Sequence, residues 1–313
     1  MIIEEKMLRD VYCDLLIEYA KKDDRIVVLD ADLSKAGGTK KFGTVFPDRF
    51  FNVGVAEANM VSMAAGFAEM GKIPVTQTFT PFATRRVCDQ VTLSVAYTGL
   101  KVIMTGSDPG IAAELNGGTH MSLEDVALMR NIPGMTIFEP VDSVQLKSIF
   151  PQLLSHKGAI YVRLFRKNAT KVFDEGTEFV LGCGHVIKEG KDVTIISTGI
   201  MVSESLKAVE MLANDGINAE LINIHTIKPL DEKLVLQSVK KTGGVVVAEN
   251  HSVINGLGSA VAEFLSENHP VPVKRIGVRD RFGEVGKMDY LKQILNMRAE
   301  DIAESAKTLA KKV

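Results

Sequence analysis

Cysteine is scarce in this chain. Three thiols, Cys13, Cys88 and Cys183, are scattered through 313 residues. An odd and irregularly spaced set makes no disulfide frame, and reduced thiols in a cytoplasm are the expectation. An excess of one charge is missing too. The net charge is −2, which offers nucleic acid no broad electrostatic attraction. No basic arm with interleaved aromatics occurs. No apolar run approaches membrane-spanning length, so no membrane contact is expected. The opening Met1-Ile2-Ile3-Glu4-Glu5-Lys6 lacks the build of a secretory leader. No Gly-x-Ser-x-Gly is present, which removes the nucleophile elbow of many hydrolases. His156, His185, His225, His251 and His269 fall at no metal-ligand spacing. Gly256-Leu257-Gly258-Ser259-Ala260 lacks the third glycine and the following acid of a dinucleotide fingerprint. Its glycines instead let a helix start close to a sheet.

What is present is an ordinary globular composition, 46% apolar and 24% charged, on a chain long enough for two domains. Glu4 to Lys21 carries apolar residues at helical spacing, and Arg25 to Asp30 is a short β-branched run. Ala31 to Lys41 is polar and glycine-bearing, hence loop. A helix over Ala58 to Met70 leads into a strand over Ile73 to Phe79. A second helix is predicted from near Pro81 to about Tyr97, and a strand over Lys101 to Thr105. Gly106 to His120 is glycine-rich and loop-like. Ser122, with Asp125 three residues on, resembles a helix cap. Met135 to Glu139, Asp142 to His156 and Ala159 to Leu164 continue the alternation as strand, helix and strand.

Periodicity fades over Arg166 to Gly184. A second α/β unit follows, with strands over Val193 to Ser197, Ala219 to Ile224, Gly244 to Glu249 and Val271 to Ile276. Its helices are predicted over Ser203 to Ala213, Asp231 to Lys241, Leu257 to Glu267 and Ala299 to Ala310. Alternating strands and helices imply an α/β fold of two tandem doubly wound domains with mainly parallel sheets. The expected boundaries are 1–170 for the first domain, 171–190 for a linker and 191–313 for the second.

The stretch from Phe50 to Gln90 draws the most attention. Asn52-Val53-Gly54-Val55-Ala56-Glu57 runs straight into a helix of small and apolar residues, and Gly71 ends it. On spacing alone Glu57 is a first-turn glutamate that suits the helix dipole. By the same measure Phe79 and Phe82 are core residues, and His120 a helix-entry histidine.

The ordered set of motifs says more. Asp30-Ala31-Asp32-Leu33-Ser34, then Phe46 through Met60 with Asn52-Val53-Gly54-Val55-Ala56-Glu57, come first. Thr78-Phe79 with Phe82, Gly118-Thr119-His120, Tyr161-Val162-Arg163-Leu164 and Gly256-Leu257-Gly258-Ser259-Ala260 follow. In this order, over nearly the whole chain, they resemble the C-terminal half of transketolase in the form split over two polypeptides. The resemblance implies thiamine diphosphate as cofactor. It gives Glu57 the role of sharing a proton with the cofactor's pyrimidine ring, for which a carboxyl in an apolar pocket among Val53, Val55, Met60 and Phe82 is suited. It makes Phe82 the ring stacked on the pyrimidine, Phe79 a wall of that pocket and Asp32 a neighbour of the cofactor. It implies that His120 bonds the sugar hydroxyls beside the reacting carbon, and that Arg166 meets a phosphate. It gives the second domain a mainly structural, subunit-facing role.

The chain also departs from the family. Ala58 stands where Gln is usual. Leu115-Asn116-Gly117 replaces Glu-Asp-Gly, so Asn116 meets the donor sugar as a neutral group. Met121 stands where Gln is common. Gly106-Ser107-Asp108-Pro109 lies where the family has a phosphate-binding His, and an Asp there repels phosphate. These departures imply a donor other than the usual pentose phosphates. No Gly-Asp-Gly occurs, so Mg2+ or Ca2+ and the diphosphate are expected on an N-terminal partner subunit, with this chain also pairing with itself as a dimer. Three rivals remain: the beta subunit of a 2-oxoacid dehydrogenase, a deoxyxylulose phosphate synthase fragment, and a scaffold subunit that keeps only the fold.

Overall fold

The structure is a computed structural model that describes residues 2–310. The first six strands are β1 (Ile26–Asp30), β2 (Phe50–Asn52), β3 (Ile73–Phe79), β4 (Ile103–Ser107), β5 (Thr136–Phe138) and β6 (Ile160–Leu164). The next six are β7 (His185–Lys188), β8 (Val193–Ser197), β9 (Ala219–Asn223), β10 (Thr226–Lys228), β11 (Val245–Ser252) and β12 (Val273–Val278). A seven-stranded sheet has the order β10-β5-β6-β4-β3-β1-β2, and a five-stranded sheet the order β12-β11-β8-β9-β7. Both are parallel except for one antiparallel edge strand, β10 in the first and β7 in the second. The α/β class with two mainly parallel sheets therefore holds.

Continuous β-branched runs mark strands covered on both faces, and here they are. Every residue of β1, β4, β6, β8 and β9 is buried. The helix Leu8–Ala20 lies on the first sheet through Leu8, Tyr12, Leu15 and Leu16, and Tyr12 Oη shares a 2.8 Å hydrogen bond with Thr105 Oγ1 of β4. The helix Glu57–Glu69 covers the sheet with Met60, Val61 and Ala64.

Four local expectations change. The first helix begins at Leu8, not Glu4, because Glu4 is held in extended chain by Ala169 and its carboxylate accepts from Ser143. The 31–41 loop contains two short helices, Ser34–Gly37 and Lys40–Val45; the buried Asp30 carboxylate gathers this turn through Leu33 N and Thr39 Oγ1. The helix from Pro81 to Tyr97 is broken into Thr80–Ala83, a tight turn at Arg85–Val87, Cys88–Gln90 and a wide π turn at Val91–Ala96. The Thr84 hydroxyl bonds back to Thr80 O and loosens the ladder, while the Thr80 hydroxyl donates to Ser107 O of β4. Ser122 caps nothing. The helix starts at Asp125, whose carboxylate is engaged by Arg163 and Tyr161 instead.

The 171–190 stretch carries β7 and two buried rings, Phe173 and Phe179, in edge contact at 4.7 Å. The two units are joined in depth. β10 leaves the second unit and completes the first sheet beside β5. Arg163 of β6 is 1% exposed and binds Asp125, Glu139 and the Asn250 carbonyl, while Thr198 donates to Glu139.

Candidate active site

The carboxyl ends of parallel strands are where open α/β sheets bind ligands. Asp32 follows β1, Glu57 follows β2, Phe79 ends β3 with Phe82 one turn on, Asp108 follows β4 and Arg166 follows β6. One edge of the first sheet therefore presents nearly every residue singled out above.

Glu57 is 2% exposed at the start of its helix. Its Oε2 accepts from Arg86 Nη1 at 2.7 Å. The same guanidinium lies 3.8 Å over the Phe82 ring. The His120 ring stands edge-on to Phe82 at 5.2 Å and to Phe79 at 5.8 Å. Its Nδ1 is 2.9 Å from Thr119 Oγ1. Arg166 sits 5.3 Å over Phe79 and touches Asp108 at 2.5 Å. These contacts form one unbroken row: Glu57, Arg86, Phe82, His120, Phe79, Arg166, Asp108.

Two local devices hold the row. Asn52 Oδ1 accepts from the backbone N of Asp32 and of Gly54, and its Nδ2 donates to Asp32 Oδ1 at 3.1 Å. That turn delivers the chain to Glu57. The loop that carries His120 is held by the second unit. Asn250 donates to Pro109 O and accepts from Ile111 N. Gly110, at φ 53°, is needed there, because a Cβ would lie 2.3 Å from Asn250 Oδ1.

Asp32 is exposed, at φ 62°, and its visible partner is Asn52. Asn116 is exposed at the end of the Gly110–Asn116 turn, and its side chain makes no hydrogen bond among the described residues. The apolar surroundings expected for Glu57 are only partly present. Met60 is buried beside it in the helix, but Val55 is exposed and an arginine occupies the carboxylate. Arg86 escaped the sequence reading. Its signal is the four-residue spacing from Phe82, which would put the two on one face of an unbroken helix; the chain breaks at Thr84, and the guanidinium still lies over the ring.

The site fits a planar nitrogen heterocycle. The Arg86 guanidinium is itself planar and an N–H donor. It gives a proton contact to a buried carboxylate while stacking on an aromatic ring, which are the two services an aminopyrimidine needs from a protein.

Residues 4–171 match the transketolase pyrimidine-binding domain, and residues 182–302 the transketolase C-terminal domain. The chain belongs to the transketolase family. It is 62% identical to the 6-deoxy-6-sulfo-D-fructose transketolase subunit SqwH of a Clostridium species, over 97% of this chain and 94% of that protein. It is 41% identical to a putative transketolase C-terminal section of Methanocaldococcus jannaschii, over 96% and 95% of the two chains. A split-gene transketolase solved as an inactive beta4 tetramer superposes with a TM-score of 0.89 at 40% identity, covering 98% of each chain. The chain thus carries the pyrimidine-binding and C-terminal domains of transketolase and is similar over nearly its whole length to proteins of the split form.

Proposed function

We propose that this chain, joined to an N-terminal partner, transfers a two-carbon ketol unit from a sulfonated ketose to an aldose. The carrying observation is the row from buried Glu57 through His120 to Arg166 along one sheet edge. The relative that acts on 6-deoxy-6-sulfo-D-fructose supports the donor class. Removing two carbons from such a ketohexose leaves a four-carbon sulfonated aldose.

Thiamine diphosphate supplies the carbanion chemistry when bound. Glu57 holds a proton at the pyrimidine side, Phe82 and Phe79 give flat apolar contact, and His120 meets the donor's hydroxyls. Arg86 must leave Glu57 for the pyrimidine to take its place. Its side chain is 43% exposed, so it has solvent to move into. The diphosphate and its divalent cation belong to the partner in this reading, since the sequence contains no Gly-Asp-Gly. Val55, Leu93 and Tyr97 are exposed apolar residues near the Glu57 helix and suit a self-association surface.

The test is reconstitution with a partner chain that carries Gly-Asp-Gly. The pair should bind thiamine diphosphate and transfer ketol from 6-deoxy-6-sulfo-fructose to glyceraldehyde 3-phosphate, while the isolated chain does neither. Full activity of the isolated chain, or none from the pair on sulfonated and phosphorylated ketoses alike, overturns the reading.

A further inference from the structure

The far end of the row holds an acid where an anion-binding site has no evident use for one. Asp108 follows β4 directly. Its backbone N donates to Leu164 O at 3.1 Å, and its φ is 55°. The residue is 1% exposed. Its Oδ2 lies 2.5 Å from Arg166 Nε, yet neither carboxylate oxygen receives an aligned hydrogen bond. The contact is one of charge, and hydrogen-bond capacity is left over in a buried position. Burial pushes the Asp108 carboxyl up, against the opposing pull of Arg166 and Lys167.

The neighbouring cation is treated the same way. Lys167 pairs with Glu114, whose other oxygen accepts from Met288 N at 2.9 Å. Glu114 too has a left-handed backbone, φ 45°. Two cations thus stand at the end of β6, each with its own acid. The local charge balances before any substrate arrives.

A sulfonate carries one fixed negative charge. A phosphate monoester carries between one and a half and two at neutral pH, with a second pKa near 6. Both offer three oxygens to a guanidinium. They differ chiefly in the charge that a nearby carboxylate feels. We propose that Asp108 is a specificity-determining residue: it offsets Arg166, so that the site takes a monoanionic sulfonate tail and turns away a phosphate dianion. This rests on the reading of Arg166 as the residue that meets the donor's far end. A second unit charge a few ångströms from a buried acid changes affinity by tenfold or more.

The assembled two-chain protein carrying Glu57→Gln, which halts turnover, is titrated by calorimetry at pH 7.5. The probes are fructose 6-phosphate and 6-deoxy-6-sulfo-fructose. With Asp108 in place the sulfonated sugar should bind more tightly. Adding Asp108→Asn, which keeps the shape and tolerates positive φ, should move the affinity ratio at least tenfold toward the phosphate. A second arm needs no change at position 108. Lowering the pH from 7.5 to 5.5 should strengthen phosphate binding as that group becomes a monoanion, and leave the ratio's sulfonate side nearly flat. A ratio that Asp108→Asn does not move, or a phosphate affinity indifferent to pH, overturns the role of Asp108. Failure of both sugars to bind overturns the donor-tail reading beneath it, a result distinct from an unchanged ratio.

Discussion

Arginine meets buried carboxylates in two regions of this molecule, and they are built differently. At the seam between the sheets, Arg163 is wholly enclosed. It gives four hydrogen bonds, two to Asp125, one to Glu139 and one to the Asn250 carbonyl; Tyr161 also donates to Asp125 Oδ2, and Thr198 fills the other Glu139 oxygen. Burial pushes the Asp125 carboxyl up, but the Arg163 charge and these hydrogen bonds outweigh it and hold the group below its usual range. At the sheet edge, Arg86 gives Glu57 one bond and is 43% exposed, while Arg166 touches Asp108 without an aligned bond. A saturated, enclosed pair costs several kcal/mol to open and so fixes structure. A half-open pair exchanges its partner for a ligand at small cost. The same residue types serve as a clasp in one place and as a vacated contact in the other.

The largest effect is expected from Glu57→Gln. Gln fills the same space and still accepts from Arg86, so stability should change by less than about 1 kcal/mol for a pair with one exposed partner. Ketol transfer should fall by about 10²–10⁴-fold, the usual weight of a positioned proton carrier. Exchange of the thiazolium proton in the reconstituted pair measures the lesion directly. Exchange at the unmodified rate would remove Glu57 from the proton path and blur the contrast between the two regions.

The seam should respond in the opposite way. Arg163→Met leaves Asp125 and Glu139 buried without their cation, which typically costs about 3–5 kcal/mol. Urea unfolding of the isolated chain should show that loss, with no ligand or partner needed. A loss under about 1 kcal/mol would mean that the enclosed arginine is no clasp.

How much of this was legible depended on distance along the chain. The helix at 57–69 and the strand at 73–79 follow from local pattern, and both lie within a residue or so of expectation. Glu57, Phe79, Phe82 and His120 could be gathered only through the family's motif order, because nothing in their spacing brings 57 and 120 together. Arg86 was missed because its partner lies 29 positions away. Asp108 stands out in the sequence at a phosphate-binding position, but its pairing with Arg166 needs β4 beside β6, a sheet-order fact. The break after Pro81 was hidden as well. Thr80 and Thr84 are only weakly unfavourable in a helix, and of their two hydroxyl bonds the one from Thr80 reaches Ser107 of another strand. β10 is three residues long, too short for any period to show, and its partner β5 belongs to the other unit.

The smallest expected effect sharpens the comparison at that same junction. His225 lies between β9 and β10 and is fully buried, edge-on to Phe138 and Phe179 at 5.8 Å each. Its carbonyl accepts from Glu139 N, and its Nε2 has no partner among the described residues. Burial, helped by the charge of His185, lowers its pKa to about 4. An unfolded histidine titrates near 6.5. Between about pH 4 and 6.5 the unfolded chain therefore holds a proton that the folded chain refuses, so stability rises with pH across that window and is lost as pH falls. His251, lowered to about 4 chiefly by burial, acts in the same direction. Glu249, raised by burial to about 7, acts in the other, since the folded chain keeps a proton there that the unfolded chain sheds near 4.3. Those two oppose each other, and the share of His225 alone is roughly 3 kcal/mol across the window at most. Urea midpoints of the isolated chain between pH 4.5 and 7 should fall with acid, and His225→Asn should flatten the fall. Midpoints that drop as steeply in His225→Asn would assign the acid response to another group and leave the junction insensitive to pH.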